Sequence, residues 1–207
     1  MLTKSRLAIF LSRLKTFEKP KLLPEQYQTD SETAAEVLWF AAMKGDVKGK
    51  TVADLGAGNG ILGIGALALG AGKVWLVDSD EDVIPVINDN IKASKKEFEI
   101  KGKASVLKAD IKTFNAAVNT VFQNPPFGTK VKHADREFLE KAFEVAGVVY
   151  SFHKKSTAGF VEAISRDNGF KVTNVFDINF RIKKLHKFHK KPVKEVEVSC
   201  FRLERVK

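Results

Sequence analysis

From residue 50 onward, strand-like runs alternate with helix-like runs, and this alternation constrains the fold more than any other feature of the sequence. The strand-like runs are rich in β-branched and aromatic residues, whereas the helix-like runs repeat apolar residues at helical spacing. Alternating βα units of this length predict an α/β fold with helices on both faces of a mostly parallel sheet. Seven strands are predicted, over residues 51–55, 73–78, 104–110, 117–123, 148–152, 170–180 and 196–203.

The last two predicted strands break this alternation, because the sequence between them contains no convincing helix. Two consecutive strands without a crossover helix predict an antiparallel pair, so we expect the last strand to insert antiparallel beside its neighbour. Seven strands that end in such a hairpin are the pattern expected of a Rossmann-like class I methyltransferase. We therefore predict a single domain over residues 1–207.

An N-terminal helical extension is predicted ahead of the sheet. Apolar residues repeat at helical spacing from Leu7 to Leu14, and a second helix is predicted from an N-cap at Ser31 to about Lys44. Residues 1–30 are read as a basic N-terminal helix followed by a segment that covers the cofactor, and residues 181–207 as a basic C-terminal strand region.

Composition excludes several classes of protein. A hydrophobic fraction of 44% excludes a disordered chain, and a charged fraction of 29% excludes a chain that is mostly embedded in a membrane. The single cysteine, Cys200, cannot form an intrachain disulfide or a cysteine-based zinc site. Arg6 and Arg13 interrupt the apolar N-terminus, so it does not read as a signal peptide. A cytoplasmic location is the expectation.

The excess of positive charge lies at the two ends of the chain. The net charge of +10 divides into +5 over residues 1–23, +7 over residues 181–207 and −2 over residues 24–180. A folded chain could bring the two ends together, and a cationic face of this kind attracts nucleic acid. The alternative is that basic ends only keep the protein in solution.

The glycine-rich run from Asp54 to Gly60, DLGAGNG, follows the first predicted strand and opens a helix. Glycine lets a backbone turn sharply and approach a ligand closely. Acidic residues end the next two strands, where Asp78 could accept ribose hydroxyls and Asp110 could bind an adenine amine. These features predict a nucleoside site, and NAD(H) remains a competing ligand because the same fold binds it. The glycines concerned are Gly56, Gly58 and Gly60.

The run Asn124, Pro125, Pro126 and Phe127 follows the fourth predicted strand. Each proline restricts its own φ and favours an extended conformation of the residue before it, so the loop is stiff. The Asn124 side chain and the Pro125 carbonyl could thus accept both hydrogens of a planar exocyclic amine and free its lone pair for attack. Phe127 would stack on the base. We interpret this run as a catalytic loop for methyl transfer from S-adenosylmethionine to adenine N6.

Together with the NPPF run, the segments KPKLLPEQYQT, VVYSFHKKST and KFHKK resemble the archaeal and eukaryotic family of small-subunit ribosomal RNA adenine-N6 methyltransferases. The resemblance spans nearly the whole chain. It implies S-adenosylmethionine as cofactor and ribosomal RNA as substrate, with Asn124 to Phe127 as the catalytic loop. Eukaryotic members work with a small zinc-containing activator protein, which is therefore a candidate partner here. The cofactor residues that the resemblance implies are Gln26, Thr29, Gly56, Asn59, Ile61, Asp78, Asp110 and Ile111.

The basic segment KKLHKFHKK interleaves cations with aromatic side chains, a pattern that suits RNA loops with splayed bases. His186 and His189 lie three residues apart within it, but neighbouring lysines repel a cation and no metal site is expected. The predicted RNA contacts are Lys187, Phe188, His189, Lys190 and Lys191.

Two other functions compete at this stage. One is the same chemistry on DNA adenine or on a protein glutamine amide, although glutamine enzymes commonly carry Tyr where this chain has Phe127, and the basic ends favour nucleic acid. The other is a non-catalytic RNA-binding protein that keeps the fold, and the intact Asn124 and glycine loop argue against it.

Overall fold

The computed structural model describes residues 2–16, 29–126, 134–181 and 195–206. Their helices are α1 Lys4–Leu11, α2 Ser31–Met43, α3 Ile61–Ala68, α4 Val83–Glu97, α5 Ala134–Val145 and α6 Ala158–Asp167. The strands are β1 Thr51–Leu55, β2 Lys73–Asp78, β3 Lys103–Lys108, β4 Thr120–Gln123, β5 Val148–Lys154, β6 Phe170–Arg181 and β7 Glu195–Arg205. Short 3₁₀ turns span Ile111–Thr113 and Lys155–Thr157.

The seven strands form one sheet in the order β3-β2-β1-β4-β5-β7-β6. The first five pair in parallel, and β7 lies antiparallel between β5 and β6. This arrangement confirms the predicted α/β fold, including the antiparallel last strand. Because β6 and β7 are antiparallel, β6 ends and β7 begins at the edge where the parallel strands also end.

Two apolar layers cover the two faces of the sheet. One contains residues of α1 to α4, and in it Phe122 stacks on Tyr150 with ring centroids 4.9 Å apart. The other contains residues of α5 and α6, and in it Phe143 packs 4.3 Å from Phe170. Strands buried on both faces read as continuous apolar runs, which is why the sequence predicted them.

The start of α2 differs from the sequence prediction. Asp30, not Ser31, is the N-cap, because its Oδ1 accepts hydrogen bonds from the backbone N–H groups of Glu32 and Thr33 at 3.1 and 3.0 Å. Both residues are good caps. Residue type alone therefore could not decide whether Asp30 or Ser31 is the N-cap.

A buried ion pair joins the loop after α2 to strand β7. Arg202 of β7 donates from Nε and Nη2 to the two carboxylate oxygens of Asp46, at 2.9 and 3.2 Å. The Tyr150 hydroxyl donates to the same carboxylate at 2.7 Å, and burial raises the pKa of Tyr150 well above its usual range. This network ties residues distant in sequence into one core.

Candidate active site

The predicted site residues follow three neighbouring strands at one edge of the sheet. Leu55 of β1 pairs with Val77 of β2 on one side and with Gln123 of β4 on the other. Since neighbouring strands lie about 4.8 Å apart, Asp78 and Asn124 flank the start of the glycine loop at a separation of about 10 Å. The register therefore brings the predicted nucleoside and catalytic residues to one edge.

The glycine loop turns back on itself immediately after β1. The φ angles of Gly56, Gly58 and Gly60 are 70°, 56° and 82°, all in the left-handed region. The backbone N–H groups of Gly56 and Ala57 both donate to the Val77 carbonyl, at 2.9 and 3.0 Å, which fixes the start of the loop on β2. A Cβ at Gly56 would also lie 3.0 Å from the Phe138 ring, which would have to shift to admit it.

Asp54 anchors the other end of this turn. Its Oδ2 accepts a hydrogen bond from the Gly63 backbone N–H at 2.7 Å, and the side chain is buried. Burial raises the pKa of Asp54 to about 8, the Gly63 hydrogen bond opposes this shift, and the charge of Asp78 adds to it. Burial therefore favours the neutral form of the Asp54 carboxyl.

Asp78 closes the loop from the β2 side. Its Oδ2 accepts from the Gly58 N–H and its Oδ1 from the Asp80 N–H, both at 2.9 Å. An ionised carboxylate accepts about four hydrogen bonds, so acceptor positions remain for ribose hydroxyls. The Asp78 carbonyl also accepts from Ala109, which places the next acidic residue, Asp110, beside it.

Asp110 has a structural task as well as the predicted binding role. Its Oδ1 accepts from the Lys112 N–H at 2.9 Å and caps the 3₁₀ turn that follows β3. Ile111 is buried behind it in the α5 and α6 layer, and Ile61 is buried at the first position of α3. Asp110 itself is exposed at the site edge.

Thr29 contacts Asn124, the first residue of the predicted catalytic run. The Asn124 Nδ2 donates to the Thr29 Oγ1 at 3.0 Å, and Thr29 is buried ahead of α2. This hydrogen bond fixes the orientation of the Asn124 amide. Pro125 is buried and Pro126 is half-buried. The structure thus places Thr29, which the resemblance assigned to the cofactor, against Asn124.

A buried polar chain below this run was missed by sequence reasoning. Gln123 donates from Nε2 to the Ser151 Oγ at 3.0 Å, and Ser151 lies 2.6 Å from the His153 Nε2. All three side chains are buried, and desolvation lowers the pKa of His153 to about 3. Polar residues at alternate positions of an apolar strand were the available signal.

Asn90 of α4 was also missed. It is buried and bonds both to the glycine loop, through the Asn59 carbonyl, and to the backbone of Lys15. Its signal in the sequence was an amide on the helix face that Ile87 and Ile91 bury.

Several predicted residues lie outside the described part of the chain. They are Gln26 of the cofactor set, Phe127 of the catalytic run and the RNA-binding set Lys187, Phe188, His189, Lys190 and Lys191. Within the described ranges, no group of three or more His, Cys, Asp and Glu side chains could hold a metal ion. Within the same ranges no helix is long and apolar enough to span a bilayer.

These residues fit a nucleoside bound beside a planar amine. The loop of Gly56 to Gly60 lets a ligand approach the backbone closely, and the Asp78 carboxylate can accept further hydrogen bonds. Asn124 lies two strands away from Asp78, with its amide oriented by Thr29.

Comparison with known proteins agrees with this geometry. The family model named Conserved hypothetical protein 95 matches residues 31–163. The chain is 34% identical to the rRNA N(6)-adenosine-methyltransferase METTL5 of Danio rerio, over 93% of this chain and 94% of that protein.

Solved structures share the fold. The chain resembles a candidate RNA methyltransferase from Pyrococcus horikoshii with a TM-score of 0.87 and 44% identity, over the full length of both chains. A magnesium protoporphyrin IX methyltransferase from Synechocystis with bound SAM superposes with a TM-score of 0.64 at 15% identity, over 84% of this chain and 78% of that one. The second likeness concerns the fold alone.

Proposed function

The chain belongs to the family of S-adenosylmethionine-dependent rRNA adenine-N6 methyltransferases, and from this premise we propose that it methylates the N6 amine of an adenosine in ribosomal RNA. The observation that carries the proposal is the position of Asn124, at the end of β4 beside the glycine loop and bonded to Thr29. The cofactor is S-adenosylmethionine, which supplies a methyl group on a positively charged sulfur.

The residues of this chain bind and orient the two reactants. Gly56 to Gly60 and Asp78 hold the nucleoside part of the donor, while the Asn124 side chain and the Pro125 carbonyl accept the two N–H bonds of the adenine amine. These acceptors would favour a tetrahedral nitrogen whose lone pair is no longer shared with the ring and lies in line with the methyl group of a bound donor. S-adenosylmethionine would supply that methyl group, with its C–S bond breaking as the N–C bond forms and S-adenosylhomocysteine as the leaving group. The extra proton of the methylated amine would pass to water, so no strong general base is needed.

The target adenosine must leave its base stack to reach Asn124, which is easiest for an unpaired or weakly paired base. Phe127 is proposed to stack on it, with the KFHKK segment holding flanking RNA. The strands that flank this segment, β6 and β7, end and begin at the same sheet edge as Asn124. This topology supports RNA contact close to the site.

We propose the small ribosomal subunit as the source of the RNA, because the NPPF, EQYQT and KFHKK segments resemble those of the small-subunit ribosomal RNA adenine-N6 methyltransferases. A small zinc-containing activator protein is proposed as partner, and copurification together with an increase in methylation on adding it would test this. A cytoplasmic location is proposed as well.

The decisive experiment follows methyl transfer with labelled S-adenosylmethionine and purified small-subunit rRNA, with nucleoside mass spectrometry to identify the product. We expect N6-methyladenosine. Asn124→Ala should lower the turnover by about a hundred- to a thousand-fold, because one preorganised acceptor is lost. Binding of S-adenosylhomocysteine should stay within twofold.

Asn115→Ala is the matched control, since it removes an exposed amide that bonds to Lys141 away from the glycine loop. It should methylate at the wild-type rate. Wild-type turnover by Asn124→Ala would overturn the proposed mechanism, and a product methylated at another atom would overturn the proposed substrate.

A further inference from the structure

The N-terminal helix and the glycine loop meet at one buried side chain, Asn90 of α4. The Asn90 Oδ1 accepts from the Lys15 backbone N–H at 2.8 Å, and its Nδ2 donates to the Lys15 carbonyl at 3.1 Å. The same Nδ2 donates to the Asn59 carbonyl at 3.0 Å. Asn90 therefore joins two backbone segments that are 44 residues apart in the chain.

The surroundings make these hydrogen bonds specific. Asn90 is 1% exposed, and Ile87 and Ile91 on the same helix are buried beside it. Burying an amide costs free energy unless its donors and acceptor are satisfied, so a residue that only filled space here would be apolar. The amide is matched to the backbone of Lys15 and Asn59.

The bond to Asn59 fixes the conformation of the loop. A trans peptide directs its C=O and its N–H to opposite sides, so orienting the Asn59 carbonyl toward α4 also orients the Gly60 N–H. That N–H donates to the Ala57 carbonyl at 2.7 Å and closes the turn. The Gly58 N–H on the other side is held by Asp78. Among these contacts, the bond to the Asn59 carbonyl depends on α4.

The bond to Lys15 links the same loop to the docking of α1. Leu7 and Leu11 of α1 are buried in the apolar layer, and Leu11 lies 3.6 Å from the position of a Cβ at Gly65 of α3. The Asn59 Nδ2 also approaches the Lys15 carbonyl, at 3.4 Å. The exposed ion pair between Lys15 and Asp89 adds little, because solvent screens it.

We infer that Asn90 is a positioning residue that couples the docking of α1 to cofactor affinity. It holds the Asn59–Gly60 peptide in the binding geometry while Lys15 is in place, so undocking α1 loosens the loop. Coupling of this kind is reciprocal: cofactor binding must stabilise the docked α1 by the same free energy. The inference rests on the proposed function, because it assumes that the glycine loop binds the donor.

The test is S-adenosylhomocysteine binding, measured by titration calorimetry on the full chain. Asn90→Leu should raise the Kd about tenfold, within the range usual for coupled sites. Asp89→Ala is the matched control, because it removes the neighbouring exposed contact to Lys15 and leaves the Asn90 amide in place; its Kd should stay within twofold. A Kd for folded Asn90→Leu within twofold of wild type would overturn the inference.

A double-mutant cycle separates coupling from general destabilisation. Leu11→Ala should weaken binding in the wild-type chain and have a smaller effect in the Asn90→Leu chain, because only the Asn59 contact with the Lys15 carbonyl then links α1 to the loop. Equal effects in both backgrounds would contradict the coupling.

A measurement on the unmodified protein keeps the inference testable if Asn90→Leu does not fold. Saturating S-adenosylhomocysteine should slow amide hydrogen exchange in α1, and unchanged exchange there would overturn the coupling. If the wild-type chain bound no S-adenosylhomocysteine at all, the proposed function itself would fail, which is a different outcome from binding without coupling.

Discussion

Buried polar side chains lie next to the run proposed to be catalytic. His153 lies at the end of the chain Gln123, Ser151 and His153, where desolvation holds its pKa near 3, so it stays neutral at any physiological pH. A neutral imidazole in this position serves as a hydrogen-bond partner of Ser151. It is unsuited to act as a proton-accepting base of the reaction near pH 7.

Acid stability should report on His153. An unfolded histidine takes up a proton below pH 6.5 while the folded one does not until about pH 3, so stability falls as the pH drops through this interval. Between pH 6.5 and 4.5 the free energy of unfolding of His153→Gln should fall by about 2 kcal/mol less than that of the wild type. Urea unfolding at several pH values measures this, and parallel curves for the two proteins would contradict it.

Close backbone approach decides how the helices and strands fit together. Gly102 precedes β3 and lies against the loop between α3 and β2, where a Cβ would come within 2.0 Å of the Ala71 carbonyl oxygen. A backbone atom cannot rotate away as a side chain can. The spacing of β2 and β3 therefore depends on the absence of a side chain at Gly102.

We expect Gly102→Ala to destabilise the protein by about 1 to 3 kcal/mol, the usual cost of overpacking. Gly159→Ala is the control, because Gly159 lies in α6 with nothing within 4 Å of the added Cβ, and alanine favours the helix. Thermal unfolding should show a lower midpoint for the first variant and an equal or higher one for the second. A higher midpoint for Gly102→Ala than for Gly159→Ala would show that the backbone at Gly102 can move away from Ala71.

For the whole molecule, part of the positive charge at the chain ends serves the fold. Arg202 is buried against Asp46, and Arg205 donates to the Phe143 and Ala146 carbonyls. At the N-terminus, Arg6 and Lys15 pair with acidic residues of α4, Glu97 and Asp89. The cations proposed to bind RNA are therefore only some of the Lys and Arg residues that give the chain ends their positive charge.

Arg202 should be far more important for stability than an exposed partner of the same kind. Arg202→Met leaves the Asp46 carboxylate buried without its cation, and should cost about 3 to 5 kcal/mol. Lys155→Met breaks the exposed pair with Asp177 and should cost about 0 to 1 kcal/mol. Denaturant unfolding compares the two directly, and similar losses would mean that the Asp46 network is not a support of the core.

RNA binding should depend on Lys190 and Lys191. Replacing both with Ala should weaken binding and flatten the dependence of log K on log salt concentration by about 1.4 to 1.8, since each phosphate contact contributes about 0.7 to 0.9. S-adenosylhomocysteine affinity should not change. The control replaces Lys48 and Lys101, which precede β1 and β3 at the opposite edge of the sheet; an equal effect there would indicate nonspecific attraction.

The sequence by itself determined the features that depend on neighbouring residues. The alternation of apolar runs predicted the strands, the glycines after β1 predicted a sharp turn, and Asn124 with its prolines predicted a stiff loop. These are local properties, because backbone φ preferences and apolar periodicity act over a few residues.

Only the tertiary structure decided which side chains meet. Thr29 and Asn124 are 95 residues apart, Lys15 and Asn90 are 75 apart, and Asp46 and Arg202 are 156 apart. Periodicity shows that a face is buried but carries no information on what covers it, so the partners of Asn90 and His153 could not be predicted. Strand order and register bring these groups together, and both are determined by long-range packing.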